Sequence, residues 1–92
     1  MNAITGEKLK KYFKITEKAI EKAKKHIRKN DEKEASIILD MAQRYYDDAR
    51  WFEKKGDYVD AFAAINYAHG WLDAGSKLGI FKVRDTKLFV VK

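Results

Sequence analysis

Residues 31–79, DEKEASIILDMAQRYYDDARWFEKKGDYVDAFAAINYAHGWLDAGSKLG, decide the fold. Ala35, Ile38, Ala42, Tyr45, Ala49 and Phe52 recur at alternating steps of three and four. That spacing puts them on one side of a helix. Asp31, with Glu34 three residues on, has the spacing of a capping box and marks where this helix begins. Gly56 supplies the left-handed residue that ends it. Asp57 caps a further helix at once. Ala61, Ile65, Ala68 and Leu72 form the stripe of that helix, which runs to near Gly79. Phe62 and Trp71 flank the stripe on opposite sides, so apolar groups cover most of its circumference. A joint of one or two residues forces the two helices to lie antiparallel.

Upstream, a first helix is expected from about Gly6 to Lys29. Leu9, Phe13, Thr16, Ile20, Ala23 and Ile27 make one continuous stripe, widened by Tyr12 and Ala19. Thr5 reads as its N-cap and Asn30 as its stop. Downstream the period changes. Ile80-Phe81-Lys82-Val83 and Leu88-Phe89-Val90-Val91 are rich in β-formers and flank Arg84-Asp85-Thr86. A lone hairpin is marginal in water, so this tail must pack on something. The expected architecture is all-α: an up–down–up three-helix bundle over residues 1–79. A short extended or hairpin arm, residues 80–92, packs on the bundle or on a partner subunit.

The chain of 92 residues is long enough for one small domain. Twelve aromatic residues and 46% apolar content separate it from disordered chains. There is no Cys, which excludes disulfides, thiolate metal sites and cysteine chemistry. There is no Pro to interrupt a helix. No apolar run approaches the ~20 residues that span a bilayer. The start of the chain lacks the apolar segment of a signal peptide. A soluble, cytoplasmic protein without membrane association is expected. The charge is uneven: residues 1–30 carry ten Lys or Arg against three Asp or Glu, and residues 31–79 six against ten. A basic first helix beside an acidic pair of helices attracts within one molecule, or marks an acidic partner.

The stretch from Tyr45 to Val83, YYDDARWFEKKGDYVDAFAAINYAHGWLDAGSKLGIFKV, resembles the Domain of Unknown Function 357 family of short archaeal helical proteins. Asp48-Ala49, Phe52, Gly56-Asp57-Tyr58, Ala61-Phe62 and the run Asn66 to Gly75 carry the likeness. It covers nearly half of the chain. It implies a helical fold and an archaeal cytoplasmic setting, and it brings no activity and no catalytic residue. Ala42, Tyr45, Ala49, Gly56-Asp57-Tyr58, Ala61 and Ala68 also look like one helix–turn–helix unit of a tetratricopeptide repeat, which suggests peptide binding or assembly. Such repeats need about three units to bury a core.

Candidate chemistry centres on Asn66, His69 and Asp73, which share one side of the third helix. His69 and Asp73 have the i, i+4 spacing of paired metal ligands or of a base with its orienting carboxylate. Asp47 and Asp48 offer further carboxylates. One His without a Glu-x-x-His pattern makes an incomplete site. The reading adopted is structural: His69 bonds Asp73 or a group on the second helix. No metal or cofactor is expected. Gly70 sits inside a helical pattern at a cost of ~1 kcal/mol relative to Ala, which points to close approach by another body. The run from Gly70 to Lys77 is not a phosphate loop, because it follows no strand. No G-x-S-x-G, Walker A, H-E-x-x-H or G-x-G-x-x-G motif occurs, and no Arg precedes His69 as in helical ribonucleases.

Lys11, Lys14, Lys18, Lys22, Lys25 and Lys29 form a basic stripe opposite the apolar side of the first helix. Such a stripe tracks a phosphate backbone or simply faces solvent. No aromatic residue interleaves with it, and no nucleic-acid motif is present. Phe62, Tyr67, Trp71, Leu78 and Phe89 exceed what a three-helix bundle covers, and an apolar excess of this kind marks an interface. The sequence therefore reads as a non-enzymatic protein-interaction or assembly module, with a homodimer through the third helix and the tail or an unidentified protein partner. The alternative is a basic accessory protein that binds RNA or DNA non-specifically through the lysine stripe.

Overall fold

The computed structural model describes residues 4–89. Three helices follow in order: α1 Gly6–Lys24, α2 Glu32–Lys54 and α3 Tyr58–Lys77. Among the described residues there is no strand, and no helix is long and apolar enough to cross a membrane.

Local chemistry sets most of the helix ends. The Thr5 hydroxyl accepts the Lys8 amide at 3.0 Å and starts α1. Gly56, at φ 75°, stops α2. The Asp57 carboxylate accepts the Asp60 amide at 3.3 Å and starts α3. Gly79, at φ 78°, follows its end.

Two ends differ from expectation. Helix α1 stops at Lys24, more than a turn before Lys29. The residues after it leave the helix to meet the tail. Ile27 forms an isolated antiparallel bridge with Phe81. The Arg28 amide donates to the Ile80 carbonyl at 2.8 Å, and the Lys82 amide to the His26 carbonyl at 2.7 Å. Pairing with a distant segment thus outcompetes the last helical turn. Ile27 still packs on the core, now from an extended backbone. The capping box at Asp31 also does not form. Asp31 takes an ion pair with Arg28 and makes no side-chain cap. The Glu32 carboxylate instead accepts the Asn30 amide at 3.1 Å. Asn30 itself is left-handed, at φ 77°, and serves the turn before α2 rather than the end of α1.

Two clusters of buried side chains fix the helix directions. One joins Leu9 and Phe13 of α1 to Ala49 of α2 and Ala61, Ala64 and Ile65 of α3. The other joins Ala19, Ile20 and Ala23 to Ala35, Ile38 and Ala42 and to Leu72. The start of α1 therefore meets the end of α2 and the start of α3, which is up–down–up. Ala35, Ala42 and Ala49 recur every seventh residue of α2 and are wholly buried. Ala61 and Ala68 on α3 are also wholly buried, and Ala49 shares a cluster with Ala61. Methyl groups at these positions let the two backbones come close. Helix α3 is the central element and packs on both of the others.

The tail adds to this core. Ile80, Phe81, Val83 and Phe89 are buried in the second cluster. Burial of a side chain such as Phe81 or Phe89 contributes about 1.5–3 kcal/mol. Among its described residues the segment forms no hairpin of its own. A turn at Asp85 folds it back: the Leu88 and Phe89 amides donate to the Asp85 carbonyl at 3.1 and 2.9 Å. The Asp85 carboxylate accepts the Lys87 amide at 2.9 Å and the Lys22 ammonium at 3.3 Å. Those contacts, the Lys87 amide first, hold its pKa below the usual carboxylate range. The expectations for Val90 and Val91 lie outside the described residues.

Gly75 makes room for the tail. A Cβ built there meets the Phe81 ring at 2.4 and 2.6 Å. Gly75→Ala is therefore expected to push Phe81 off α3, although alanine is the better helix former. The expected loss is about 1–3 kcal/mol, the usual range for overpacking. Thermal unfolding measures it, and an unchanged or raised melting temperature contradicts this account.

Candidate functional site

The structure brings Asn66, His69 and Asp73 to one shallow depression between α1, α3 and the tail turn, about 330 Å³ in volume. Both ring nitrogens of His69 are engaged. Nε2–H donates to the Leu88 carbonyl, and the Thr16 hydroxyl donates to Nδ1 at 3.2 Å. A carbonyl only accepts, so the Leu88 contact fixes the neutral tautomer as the Nε2–H form. Thr16, on α1, is almost wholly buried, and His69 satisfies it. Asp73 lies further off, with Oδ1 at 3.7 Å from Nε2. The expected partner on α2 is replaced by Thr16 on α1, because the tail and α1 close over this side of α3. Asp47 and Asp48 are exposed on α2 and do not line the depression. Asp47 accepts from Gln43 at 3.0 Å. Among the described residues no three His, Cys, Asp or Glu side chains converge as a metal site.

One polar cluster escaped the sequence reading. The Arg50 guanidinium donates to Glu17 at 2.7 Å, Glu53 at 2.9 Å and the Tyr46 hydroxyl at 3.0 Å. The Tyr46 hydroxyl donates in turn to Glu17. The guanidinium also lies over the Phe13 ring, 4.1 Å from its centroid. Burial opposes the Arg50 charge, but the bonds from Glu53, Tyr46 and Glu17 outweigh it and raise its pKa. This network clamps α1 to α2, where few apolar groups connect them. Tyr46–Arg50 at i, i+4 and Arg50–Glu53 at i, i+3 were its local traces, while Glu17 belongs to another helix.

The lysine stripe is less uniform than its spacing suggests. Lys11, Lys14, Lys18, Lys25 and Lys29 are exposed, while Lys22 is half-buried against Asp85. Glu17 and Glu21 line the same depression as Lys18, Lys22 and Lys25. Lys25 caps the end of α1, and Lys29 lies in the connection that follows.

The five apolar interface candidates divide. Phe89 is buried in the chain's own core and Phe62 packs edge-on against Tyr12, 5.1 Å between centroids. Trp71 is half-buried against the core. Tyr67 and Leu78 are 63% and 66% exposed, and Val59 at the start of α3 is 68% exposed. Ala63, Asn66, Tyr67, Gly70, Trp71 and Ala74 line an open, mostly apolar depression of about 570 Å³ along the outer side of α3. Tyr67 is held there by stacking on Tyr45 of α2, 5.3 Å between centroids. At Gly70 a Cβ meets nothing within 4 Å. No contact inside the chain therefore requires glycine at this position.

Two substitutions test these assignments. His69→Ala removes the link from Thr16 and leaves the Leu88 carbonyl without its donor. The expected loss is about 1–3 kcal/mol. Faster hydrogen exchange is expected at the Leu88 and Phe89 amides, whereas zinc leaves the melting temperature unchanged. A zinc-dependent rise in the parent that disappears in His69→Ala indicates a ligand site instead. Gly70→Ala meets no obstacle within the chain and is expected to raise the stability of the isolated fold by about 1 kcal/mol. Chemical denaturation at low protein concentration measures it, and destabilisation shows that the chain itself needs this glycine.

No curated protein and no solved structure matches the chain. The profile of one family, described as Protein of unknown function (DUF357), matches residues 11–81. That span begins at Lys11 within α1 and ends at Phe81, the tail residue bridged to Ile27, and by it the chain belongs to the DUF357 family.

Proposed function

We propose that the protein is a non-enzymatic interaction module that docks a protein partner on the outer side of α3. The single observation that carries this reading is Gly70. A glycine in the middle of a helix costs ~1 kcal/mol relative to alanine, and nothing inside the chain uses the space it leaves. It lies in a depression flanked by Tyr67, Trp71 and Ala74. Exposed Val59 and Leu78 extend the apolar face to both ends of α3. The polar residues do not compete as chemistry. His69 is used by Thr16 and Leu88, and Arg50 by its carboxylates. A cytoplasmic, archaeal setting belongs to this reading and rests on the family resemblance.

Non-specific RNA or DNA binding through α1 is the alternative. Lys22 is committed to Asp85, and Glu17 and Glu21 interrupt the positive field, both of which weigh against it. Affinity capture with the tagged chain, with and without nuclease, separates the two. Bound protein is expected to survive nuclease and to fall at least tenfold with Gly70→Gln. Loss of all bound material on nuclease treatment overturns the proposal.

A further inference from the structure

We infer that the outer side of α3 is covered by a second copy of the same chain, the two α3 helices packing antiparallel with Tyr67 of each against Gly70 of the other. This rests on the reading of that side as a docking surface and names its occupant. The argument is one of self-complementarity. A twofold axis makes both partners use the same residues, so the face must fit its own reversed image. With Tyr67 level with Gly70, an antiparallel register places Ala63 level with Ala74 and Val59 level with Leu78. Large then meets absent, small meets small, and the exposed apolar ends meet each other. Tyr67 stands 63% exposed and is steadied by Tyr45. Its ring has room over the partner's Gly70, where a Cβ meets no atom of its own chain.

Charge selects the same direction. Helix α3 carries Asp60 in its first turn and Lys77 in its last. The antiparallel register brings each Asp60 level with a Lys77, within reach of the lysine stem. A parallel register sets Asp60 by Asp60 and Lys77 by Lys77. Asp60 already shares its end of the helix with Asp57, so a second acid there adds repulsion. Antiparallel helix dipoles also attract, whereas parallel ones repel.

The contact runs the ~30 Å length of one 20-residue helix. A single helix against a single helix is a narrow contact, and a weak dimer is expected.

The chain contains no Cys, which makes cysteine cross-linking unambiguous. Ala63→Cys and Ala74→Cys lie on the exposed side of α3 and change little volume. Their levels differ by eleven residues, or ~16 Å. A disulfide needs Cα atoms about 4.4–6.8 Å apart. Under mild oxidation, a mixture of the two variants is expected to give a cross-linked heterodimer, while neither variant alone cross-links to itself. Light scattering of the parent is expected to rise with concentration from 10.7 kDa toward twice that mass. Gly70→Gln is expected to weaken the dimer at least tenfold while its circular dichroism stays helical. Self-cross-linking of each variant without the mixed product means a parallel pair and overturns the inference. A parent that stays at the monomer mass at hundreds of micromolar, with no cross-link, also overturns it. If nuclease-resistant capture of another protein then still depends on Gly70, the docking face stands and only its occupant was misassigned.

Discussion

The seam between α2 and α3 is built from methyl groups, and the rest of the molecule follows from how close that brings the two backbones. Ala35, Ala42 and Ala49 of α2 and Ala61 and Ala68 of α3 are all wholly buried. Methyls bring little transfer free energy of their own, about 0.8 kcal/mol per buried carbon. Two helices packed this tightly also enclose little volume. Helix α3 contributes Ile65 and Leu72, and much of the remaining bulk of the core comes from elsewhere. Leu9, Phe13 and Ile20 arrive on α1, and Ile80, Phe81 and Phe89 on the tail. Neither α1 nor the tail is an accessory to a finished helical hairpin. Each adds bulk beside Ile38, Ile65 and Leu72 of the two helices.

This division explains why polar contacts concentrate along the edges of α1. With α2 and α3 in close contact, α1 rests more on α3 than on α2. The gap toward α2 is bridged by Arg50, Tyr46 and Glu17 over the Phe13 ring. The gap toward the tail is bridged by His69, Thr16 and Asp85. Groups half in water gain less from each bond than buried ones but avoid a full desolvation cost. His69 belongs to this pattern. One ring nitrogen is engaged by a buried hydroxyl and the other by a backbone carbonyl, so both serve contacts within the chain.

Signals that act within a few residues were legible in the sequence. The three- and four-residue steps located all three helices, and Thr5, Gly56, Asp57 and Gly79 act at the ends as their chemistry dictates. What failed was competition from other partners, one three residues away and the rest distant in sequence. Asp31 has the spacing of a cap, but Arg28 offers a charged partner and takes it. Ile27 continues the α1 stripe, but Phe81 and Ile80 offer backbone bonds in an extended geometry. Asn66, His69 and Asp73 do share one side of α3, as their spacing required. The partners of His69 were invisible, since Thr16 and Leu88 reach it from other elements. Phe89 counted as surplus apolar area only while the tail had no assigned position. Once the Asp85 turn folds it inward, it is core.

Gly70 and Gly75 show why composition alone does not assign a role to a helical glycine. They lie five residues apart on α3, and both carry the same conformational cost. At Gly75 a side chain meets the Phe81 ring, so the missing Cβ is the seat on which the tail rests. Helix propensity given up there is offset by an aromatic side chain buried within the same chain. At Gly70 a side chain meets nothing, so no term inside the chain offsets the cost. The inner side of α3 buries Ala61, Ala64, Ala68 and Gly75 beside Ile65 and Leu72. The outer side has the same small residues, Ala63, Gly70 and Ala74, beside exposed Tyr67. The bulky and the empty positions of this face sit symmetrically about the middle of α3, and that symmetry is what the proposed antiparallel pairing with a reversed copy rests on.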